Sequence, residues 1–187
     1  MIPLEKIKSI KESVILEKLK DEIEIVSTDP EQVHSFILKH YLGNWPKGIK
    51  KIYGVNYLKP EGKEMVGMAI YGTPMKSATR VIEPEATSNE VLELKRLFLE
   101  DYINLPNIES FVISKTLKLI KQEFPDVKIV ITFADKAAGH RGSIYQATNA
   151  IYLGETGGKH KYAYILRGNT KALQKLLQSK PYPKKVN

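Results

Sequence analysis

The sequence predicts an α/β domain in which helices flank a central mixed sheet. Three strand-like segments occur in succession, Ile49 to Leu58, Glu64 to Tyr71 and Val91 to Leu99. Asn107 to Glu123 then carries apolar residues at helical spacing. The next segment, Val127 to Ala134, is almost continuously apolar, as expected of a central strand covered on both faces. Together these observations predict a layered fold built around a buried strand.

The N-terminal part of the chain predicts a helix, a strand and a second helix. Leu4 to Asp21 has apolar residues at rough helical spacing and indicates an amphipathic helix, while Glu22 to Ser27 alternates like a strand. Asp29 predicts an N-cap, followed by Pro30 at the first helical position and Gln32 as the partner in a capping box. The second helix is expected to stop near Tyr41, with four apolar side chains directed inward: Val33, Phe36, Ile37 and Leu38.

Turn and loop signals separate the remaining elements. Lys59 to Gly62 predicts the turn between the first two consecutive strands, and Gly72 to Asn89 predicts a long loop. After the buried strand we expect a short helix, a strand, a last helix and a loose basic tail, over Gly142 to Tyr152, Lys161 to Leu166, Asn169 to Leu177 and Ser179 to Asn187. We expect residues 1–178 to form one catalytic domain. The order β-α-β-β-β-α-β-α-β after a leading helix is that of the GNAT fold, an analogy that implies neither donor nor substrate.

Composition limits the function classes. A chain of 187 residues fits one domain, and the absence of cysteine excludes disulfides and thiolate metal sites. The first residues lack the continuous apolar centre of a signal peptide, and no apolar run approaches a membrane span, so we expect a cytoplasmic protein without membrane partners. The net charge of +8 favours a polyanionic partner such as DNA. Solvated lysines on helix faces are the alternative explanation.

The segment after the buried strand is the first candidate for chemistry. Ligands of open α/β sheets bind beyond the carboxyl ends of strands, which is where Asp135 stands. Gly139 and Gly142 permit a tight loop that carries His140 and Arg141. A helix from Gly142 would place Tyr145 and Tyr152 on one face. Alternatively, Asp135 only caps the following turn and Tyr145 only packs in the core.

Two further groups are candidates. His40 and Tyr41 can face one pocket if the helix ends there, although a histidine at a helix C-terminus more often interacts with the helix dipole. Glu93, Lys95 and Arg96 lie on a predicted strand, so the two cations should face opposite sides of the sheet. A cation inside a sheet needs a partner such as Asp135 or an anionic ligand. The alternative is an exposed pair of charges.

The pyrophosphate loop of coenzyme A-dependent GNAT enzymes is missing. Such a loop is glycine-rich and holds the pyrophosphate with backbone N–H groups at a helix N-terminus. The corresponding stretch, Glu100 to Ser110, contains no glycine and three acidic residues, which repel phosphate. The use of acetyl-CoA is therefore doubtful.

Five motifs along the chain resemble those of the Mom family of phage proteins. They are His-Tyr-Leu-Gly, Glu-Leu-Lys-Arg-Leu, Asn-x-x-Ser, Phe-Ala-Asp and a long Gly-His-x-Gly-x-Ile-Tyr-Gln-Ala-Thr-Asn-x-x-Tyr-x-Gly motif, at His40 to Gly43, Glu93 to Leu97, Asn107 to Ser110, Phe133 to Asp135 and Gly139 to Gly154. The resemblance implies a GNAT-like enzyme of the host cytoplasm that places a carbamoylmethyl group on the exocyclic amine of adenine in DNA, so that restriction is evaded.

The resemblance also implies roles for particular residues. It gives six active-site candidates: His40, Tyr41, Arg96, Ser110, Asp135 and Tyr145. Four of these have ligand types that iron accepts: His40, Tyr41, Asp135 and Tyr145. An adenine extruded from the duplex could stack on aromatic residues, and cations could contact phosphates. The candidates for contacting DNA are Trp45, Lys50, Lys51, His140, Arg141 and Tyr152.

The acyl donor and two other function classes remain open from the sequence. A glycyl donor such as glycyl-tRNA would supply the atoms of a carbamoylmethyl group, although a rearrangement would still be required. A conventional N-acetyltransferase acting on a small molecule or a protein is the first alternative. A DNA-binding protein without enzymatic activity is the second.

Overall fold

The computed structural model describes residues 4–79, 86–168 and 179–183, and its centre is a seven-stranded mixed sheet. The strands are β1 (Ile23–Ser27), β2 (Ile49–Lys59), β3 (Gly62–Gly72), β4 (Val91–Leu99), β5 (Ile129–Asp135), β6 (Ile151–Thr156) and β7 (Lys159–Ile165). The helices are α1 (Leu4–Glu22), α2 (Pro30–Lys39), α3 (Lys76–Thr79), α4 (Ile108–Glu123) and α5 (Ser143–Ala147). The spatial order is β1-β2-β3-β4-β5-β7-β6, in which the β4–β5 pair is parallel. The predicted α/β architecture is confirmed.

Helices cover both faces of the sheet. On one face, α1 and α4 bury residues such as Leu19, Phe111 and Ile113 against β-strand residues that include Tyr53 and Tyr71. On the other face, α2 packs three residues, Val33, Phe36 and Ile37, against Ile52, Met68 and Ile70. This two-sided burial explains the apolar run of β3. Both faces of β5 are buried as well, with Val130 in the cluster of α1 and α4 and Ile129 and Ile131 in a separate core cluster.

Two local predictions about α2 are wrong. Leu38 is 64% exposed, because it lies about 100° around the helix from Ile37 and faces away from the sheet. Asp29 stands at the N-cap, but its side chain makes no capping hydrogen bond. The side chain of Gln32 pairs instead with the hydroxyl of Thr28.

The prediction of one helix from Gly142 to Tyr152 is also wrong. The helix α5 ends at Ala147, where the Thr148 hydroxyl bonds back to the Ile144 carbonyl at 2.9 Å and Asn149 takes a left-handed φ of 60°. The chain then forms β6, an extra strand that pairs with β7. Tyr152 therefore lies on a strand and not on the helical face of Tyr145.

The predicted last helix, Asn169 to Leu177, lies outside the described residues, as do residues 184–187 of the tail. Residues 179–183 run beside β6. The backbone N–H of Lys180 donates to the Tyr152 carbonyl at 2.9 Å, and the Tyr182 hydroxyl donates to the Ala150 carbonyl at 2.7 Å. The expectation of a loose tail does not hold for this stretch. In the described part of the chain, no helix is long and apolar enough to cross a membrane.

The parallel strands β4 and β5 separate before they end. They pair from Val91–Ile129 to Leu94–Thr132, but β4 continues to Leu99 and β5 to Asp135. A β-bulge lies at the point of separation. Ile70 pairs with Arg96 and Tyr71 with Leu94, which leaves Lys95 without a partner on β3. Bulges bend a strand and redirect its side chains, so the sheet opens between these two strands.

Close packing between β3 and β4 leads to a stability prediction. At Gly67 an added Cβ would collide with the Phe98 carbonyl oxygen and lie 3.0 Å from Leu99 Cα, both of which are backbone atoms. At Gly54 the nearest atom would be the flexible end of Met65, at 2.6 Å. We expect Gly67→Ala to lower the free energy of unfolding by about 2 kcal/mol, and by clearly more than the matched Gly54→Ala. Urea unfolding of both variants measures this, and equal losses would contradict it.

Candidate active site

A cavity of about 730 Å³ occupies the gap between the separated ends of β4 and β5. Residues 94–99 of β4 form one wall and Phe133 and Ala134 of β5 form another. The end of α2, the start of α4 and the loop from Gly139 into α5 complete it. The polar side chains that line the cavity are Lys39, His40, Tyr41, Lys95, Arg96, Asp101, Glu109, His140, Arg141, Ser143 and Tyr145. Four of the six predicted active-site residues therefore share one cavity.

Arg96 brings a positive charge into this cavity. Its guanidinium donates to the Lys95 carbonyl at 2.7 Å and to the side-chain and backbone oxygens of Asn44 at 2.9 and 3.3 Å. Its Nε is buried and has no hydrogen-bond partner, and no carboxylate among the described residues forms an ion pair with it. An unpaired buried donor costs free energy unless a ligand satisfies it. Arg96 therefore suits an anionic group or a carbonyl oxygen.

His40 lies immediately after α2 and is held as a neutral ring. Its Nδ1 accepts a hydrogen bond from the backbone N–H of Leu42 at 3.1 Å, so the neutral imidazole carries its proton on Nε2. Burial, with the nearby charges of Arg96 and His140, lowers the pKa of His40 to about 4. At neutral pH this side chain is a hydrogen-bond donor through Nε2.

Tyr41 forms the mouth of the cavity. Its ring centroid lies 4.5 Å from that of His40 and 5.0 Å from that of His140, the latter in an edge-on arrangement. The ring is 50% exposed. Burial and the charge of Asp135 raise the pKa of Tyr41 against the opposing effect of Arg96. Its hydroxyl therefore stays protonated at neutral pH.

Asp135 ends β5 beside the cavity. One carboxylate oxygen accepts the backbone N–H of Ala137 at 2.9 Å, and the other lies 3.8 Å from the ammonium of Lys159. The residue thus caps the following turn, as the alternative interpretation expected. Its negative charge also acts on Tyr41, so the same side chain contributes to the electrostatics of the site.

Tyr145 is both a core residue and a cavity wall. It is 9% exposed, and its ring lies 5.4 Å from that of Tyr162. Burial raises the pKa of Tyr145 to about 12. Gly142 precedes the helix at a left-handed φ of 73°, and Tyr162 packs so closely against it that an added Cβ would clash. Glycine at this position therefore lets α5 bring Tyr145 against the cavity.

The remaining predicted residues do not line this cavity. Ser110 is half-buried in the first turn of α4, whereas its neighbour Glu109 faces the cavity. Trp45 stacks on His34 with ring centroids 6.0 Å apart. The Tyr152 hydroxyl contacts His160 Nδ1 at 3.0 Å, Lys51 pairs with Glu123, and Lys50 is exposed.

Three of the four iron ligands that the resemblance implies, His40, Tyr41 and Tyr145, line one cavity, and iron binding stays a prediction. His40 accepts at Nδ1, so it would have to lose its Nε2 proton to bind a metal. One oxygen of Asp135 accepts the Ala137 N–H, and burial raises the pKa of Tyr145 to about 12, so this phenol would have to lose its proton to bind iron. Among the described residues, no group of three or more His, Asp or Glu is placed to hold a metal ion.

In the loop between β4 and α4, several backbone N–H groups are already hydrogen-bonded within the protein. The Ile103 N–H donates to the Glu100 carbonyl at 3.1 Å, and the Glu100 N–H donates to the Val66 carbonyl at 2.8 Å. Two acidic side chains, Asp101 and Glu109, face the cavity from this side. The cavity therefore has a basic and aromatic side near α2 and an acidic side near α4.

Sequence reasoning missed several cavity residues. The acidic residues Asp101 and Glu109 were noticed only as an obstacle to phosphate, and Lys39 and Ser143 were not noticed. The available signal was that Lys39 and Ser143 are sequence neighbours of the predicted residues His40 and Gly142. Lys95 and Arg96 were expected on opposite faces of the sheet, but both line the cavity, because the bulge interrupts the alternation of β4.

Known proteins share both sequence and fold with this chain. The profile of the Mom protein family matches residues 22–157. The methylcarbamoylase mom of Escherichia phage Mu is 35% identical over 95 residues, which is 50% of this chain and 39% of that protein. The matched region thus spans well under two thirds of the relative's length.

Solved structures establish the fold class. Arabidopsis thaliana NAA60 in complex with acetyl-CoA superposes with a TM-score of 0.54 and 10% identity, over 76% of this chain and 99% of that chain. RimL, a ribosomal alpha-N-protein acetyltransferase, gives a TM-score of 0.52 and 14% identity, over 79% and 96% of the two chains. Identities this low concern the fold alone, and they confirm the predicted GNAT-like fold.

The neutral state of His40 leads to a prediction about pH. Its folded pKa of about 4 lies below the ordinary value of 6.5, so the unfolded chain binds more protons between these values. Stability should therefore fall as the pH drops from 6.5 towards 4, with a loss of roughly 1–2 kcal/mol attributable to His40 between pH 7 and pH 5.

His40→Asn keeps an acceptor for the Leu42 N–H but cannot titrate. Unfolding curves at pH 7 and pH 5 should show a smaller loss of stability for this variant than for the parent. His34→Asn, on the exposed side of α2, is the matched control and should keep the parental loss. The same pH dependence in His40→Asn and the parent would contradict a neutral buried ring.

Proposed function

Because the chain belongs to the Mom protein family, we propose that it is a DNA-modifying transferase of the acyltransferase type. Its target is the exocyclic amine of adenine, which receives a carbamoylmethyl or related acyl-derived group that protects the DNA from restriction. The observation that carries this proposal is that the region matched by the family includes the cavity. The matched region, residues 22–157, contains every described polar residue that lines the cavity.

The electrostatics of the cavity support transfer of an acyl group to an amine. Such a reaction develops negative charge on the donor carbonyl oxygen and positive charge on the attacking nitrogen. Arg96, with its unpaired Nε, and the Nε2–H of His40 are donors suited to the oxygen. Asp135, beside the cavity and acting on Tyr41, is a carboxylate suited to accept the proton of the amine. The chain therefore offers separate groups for the two developing charges.

Access to the target base favours an extruded adenine. The exocyclic amine takes part in base pairing, so an enzyme reaches it most readily when the base leaves the duplex. A cavity of about 730 Å³ is large enough for a nucleobase together with a small acyl group. Tyr41 is half exposed at the mouth, which supports a role in stacking on the entering base.

The donor is proposed to be a glycyl compound, of which glycyl-tRNA is one form. A carbamoylmethyl group contains the two carbons and the nitrogen of a glycine unit. The acidic side of the cavity, with Asp101 and Glu109, suits the protonated amine of a glycyl group and disfavours a pyrophosphate. Acyl transfer is the step these residues support, and the final linkage requires a rearrangement after it.

Asp135→Asn tests the assignment of the base. The amide can still accept the Ala137 N–H, so the turn should be kept while the negative charge is lost. We expect modified adenine in DNA from expressing cells to fall by about 100-fold, measured by mass spectrometry of nucleosides at equal soluble expression. Asp126→Asn, in the exposed turn before β5, is the matched control and should keep the parental level. Equal modification in Asp135→Asn and the parent would remove Asp135 from the mechanism.

The donor can be tested separately. Cells supplied with glycine labelled at both carbons and at nitrogen should yield an adenine adduct that carries label beyond the amount incorporated through purine synthesis. The fold favours acetyl-CoA as the competing donor, and in that case the adduct would instead carry label from acetate. Acetyl-CoA would then also raise the melting temperature of the purified protein. Either result with acetate or acetyl-CoA would overturn the glycyl donor.

A further inference from the structure

A second cavity, of about 360 Å³, lies directly behind the loop that closes the first one. Residues 139–141 line both cavities and separate them. The other walls of the second cavity are Lys136, Glu155, His160 and Pro183. It thus lies at the carboxyl end of β5 and beside the β6–β7 hairpin, on the side of the loop away from Arg96.

An exchangeable ion pair borders this second cavity. The ammonium of Lys136 lies 2.6 Å from a carboxylate oxygen of Glu155, and the two side chains are 45% and 50% exposed. Exposed pairs of this kind contribute little stability, so an incoming anion can replace one partner at small cost. In the free protein, the Glu155 carboxylate is therefore paired with the Lys136 ammonium. An incoming anion must compete with Glu155 for Lys136.

The surroundings of this pair are basic and partly fixed. His160 is 5% exposed, and its Nδ1 lies 3.0 Å from the Tyr152 hydroxyl and 3.7 Å from Glu155. The side chain of Lys180 crosses Gly154, where an added Cβ would lie 2.8 Å from its ammonium. Arg141 contributes a further positive charge from the shared loop. Glu155 is the acidic residue in the wall, so the cavity carries net positive charge once Glu155 is displaced.

We propose that the second cavity binds a phosphodiester of the DNA strand next to the modified adenine. The phosphate displaces the Glu155 carboxylate and binds the Lys136 ammonium in its place. This inference rests on the proposed function. A base that enters the first cavity brings the neighbouring backbone over residues 139–141, the shared wall. A phosphate there meets Lys136 and Arg141, and this contact holds the strand in register for the base.

Substitutions of the two partners of this ion pair should change the affinity for DNA in opposite directions. Lys136→Gln should weaken binding of a fluorescent adenine-containing duplex by about five- to tenfold, because a charge-assisted contact is lost. Glu155→Gln should tighten binding by about threefold, because Lys136 is released and a repelling charge is removed. Fluorescence anisotropy at fixed salt measures both, without any need for the acyl donor.

The matched control is Lys63→Gln. Lys63 also forms an exposed pair, with Glu24 at 3.1 Å, but in the other half of the sheet. Its loss should change the affinity for DNA by less than twofold, whereas a merely general effect of charge would make Lys63→Gln and Lys136→Gln equal. A single uncharged methylphosphonate next to the target adenine should weaken binding of the parent and have no further effect on Lys136→Gln.

The outcomes separate the two proposals. If the parent binds no DNA, the proposed function fails. If the parent binds DNA but Lys136→Gln and Glu155→Gln leave the affinity unchanged, the phosphodiester site alone is wrong. If only the affinity for transfer RNA responds to these variants, the second cavity serves the donor and the assignment to the DNA strand is overturned.

Discussion

The separation of β4 from β5 is the constraint on which the rest of the site depends. Parallel strands that stayed paired to their ends would bury their polar backbone groups and leave no space between them. Here the ladder stops at Leu94 and Thr132, and the bulge at Lys95 turns the remaining residues of β4 away. The helix ends and loops around the gap then contribute their side chains to a single cavity. The helices α2, α4 and α5 are thus positioned around an opening that the sheet creates.

The chemistry of the cavity depends on which of its charged groups are paired with an opposite charge. The charge of Arg96 has no counter-charge in hydrogen-bond contact, because its partners are carbonyl and amide oxygens, while the Leu42 N–H and burial keep His40 neutral. The carboxylate whose charge acts on Tyr41 is Asp135, which is fixed by the turn it caps. A cation, a neutral donor and a carboxylate are therefore present together without neutralising one another. Such an arrangement is preorganised for a reaction in which opposite charges develop on two substrates.

The sequence predicted the elements of the fold better than the edges of the site. Strong local signals, such as the apolar run that became β5 and the helical spacing from Asn107 to Glu123, identified most strands and helices. The positions of His40, Tyr41 and Tyr145 followed from motif resemblance and are close in space. The bulge at Lys95 leaves no signature in an alternating strand, because it depends on the register with β3. For the same reason, the first two residues of β6, Ile151 and Tyr152, were predicted as the end of a helix, since their partners on β7 lie twelve and ten positions away.

The short C-terminal segment beside β6 has a consequence for how the molecule behaves at high concentration. β6 is an outermost strand, and its outward carbonyls could otherwise template pairing with another protein. The carbonyls of Ala150 and Tyr152 are instead occupied by Tyr182 and Lys180 of the same chain. The segment contains two prolines, Pro181 and Pro183, which cannot donate to a further strand. The segment therefore hinders edge-to-edge aggregation through β6. The solubility of any shortened form of the protein should depend on keeping this segment.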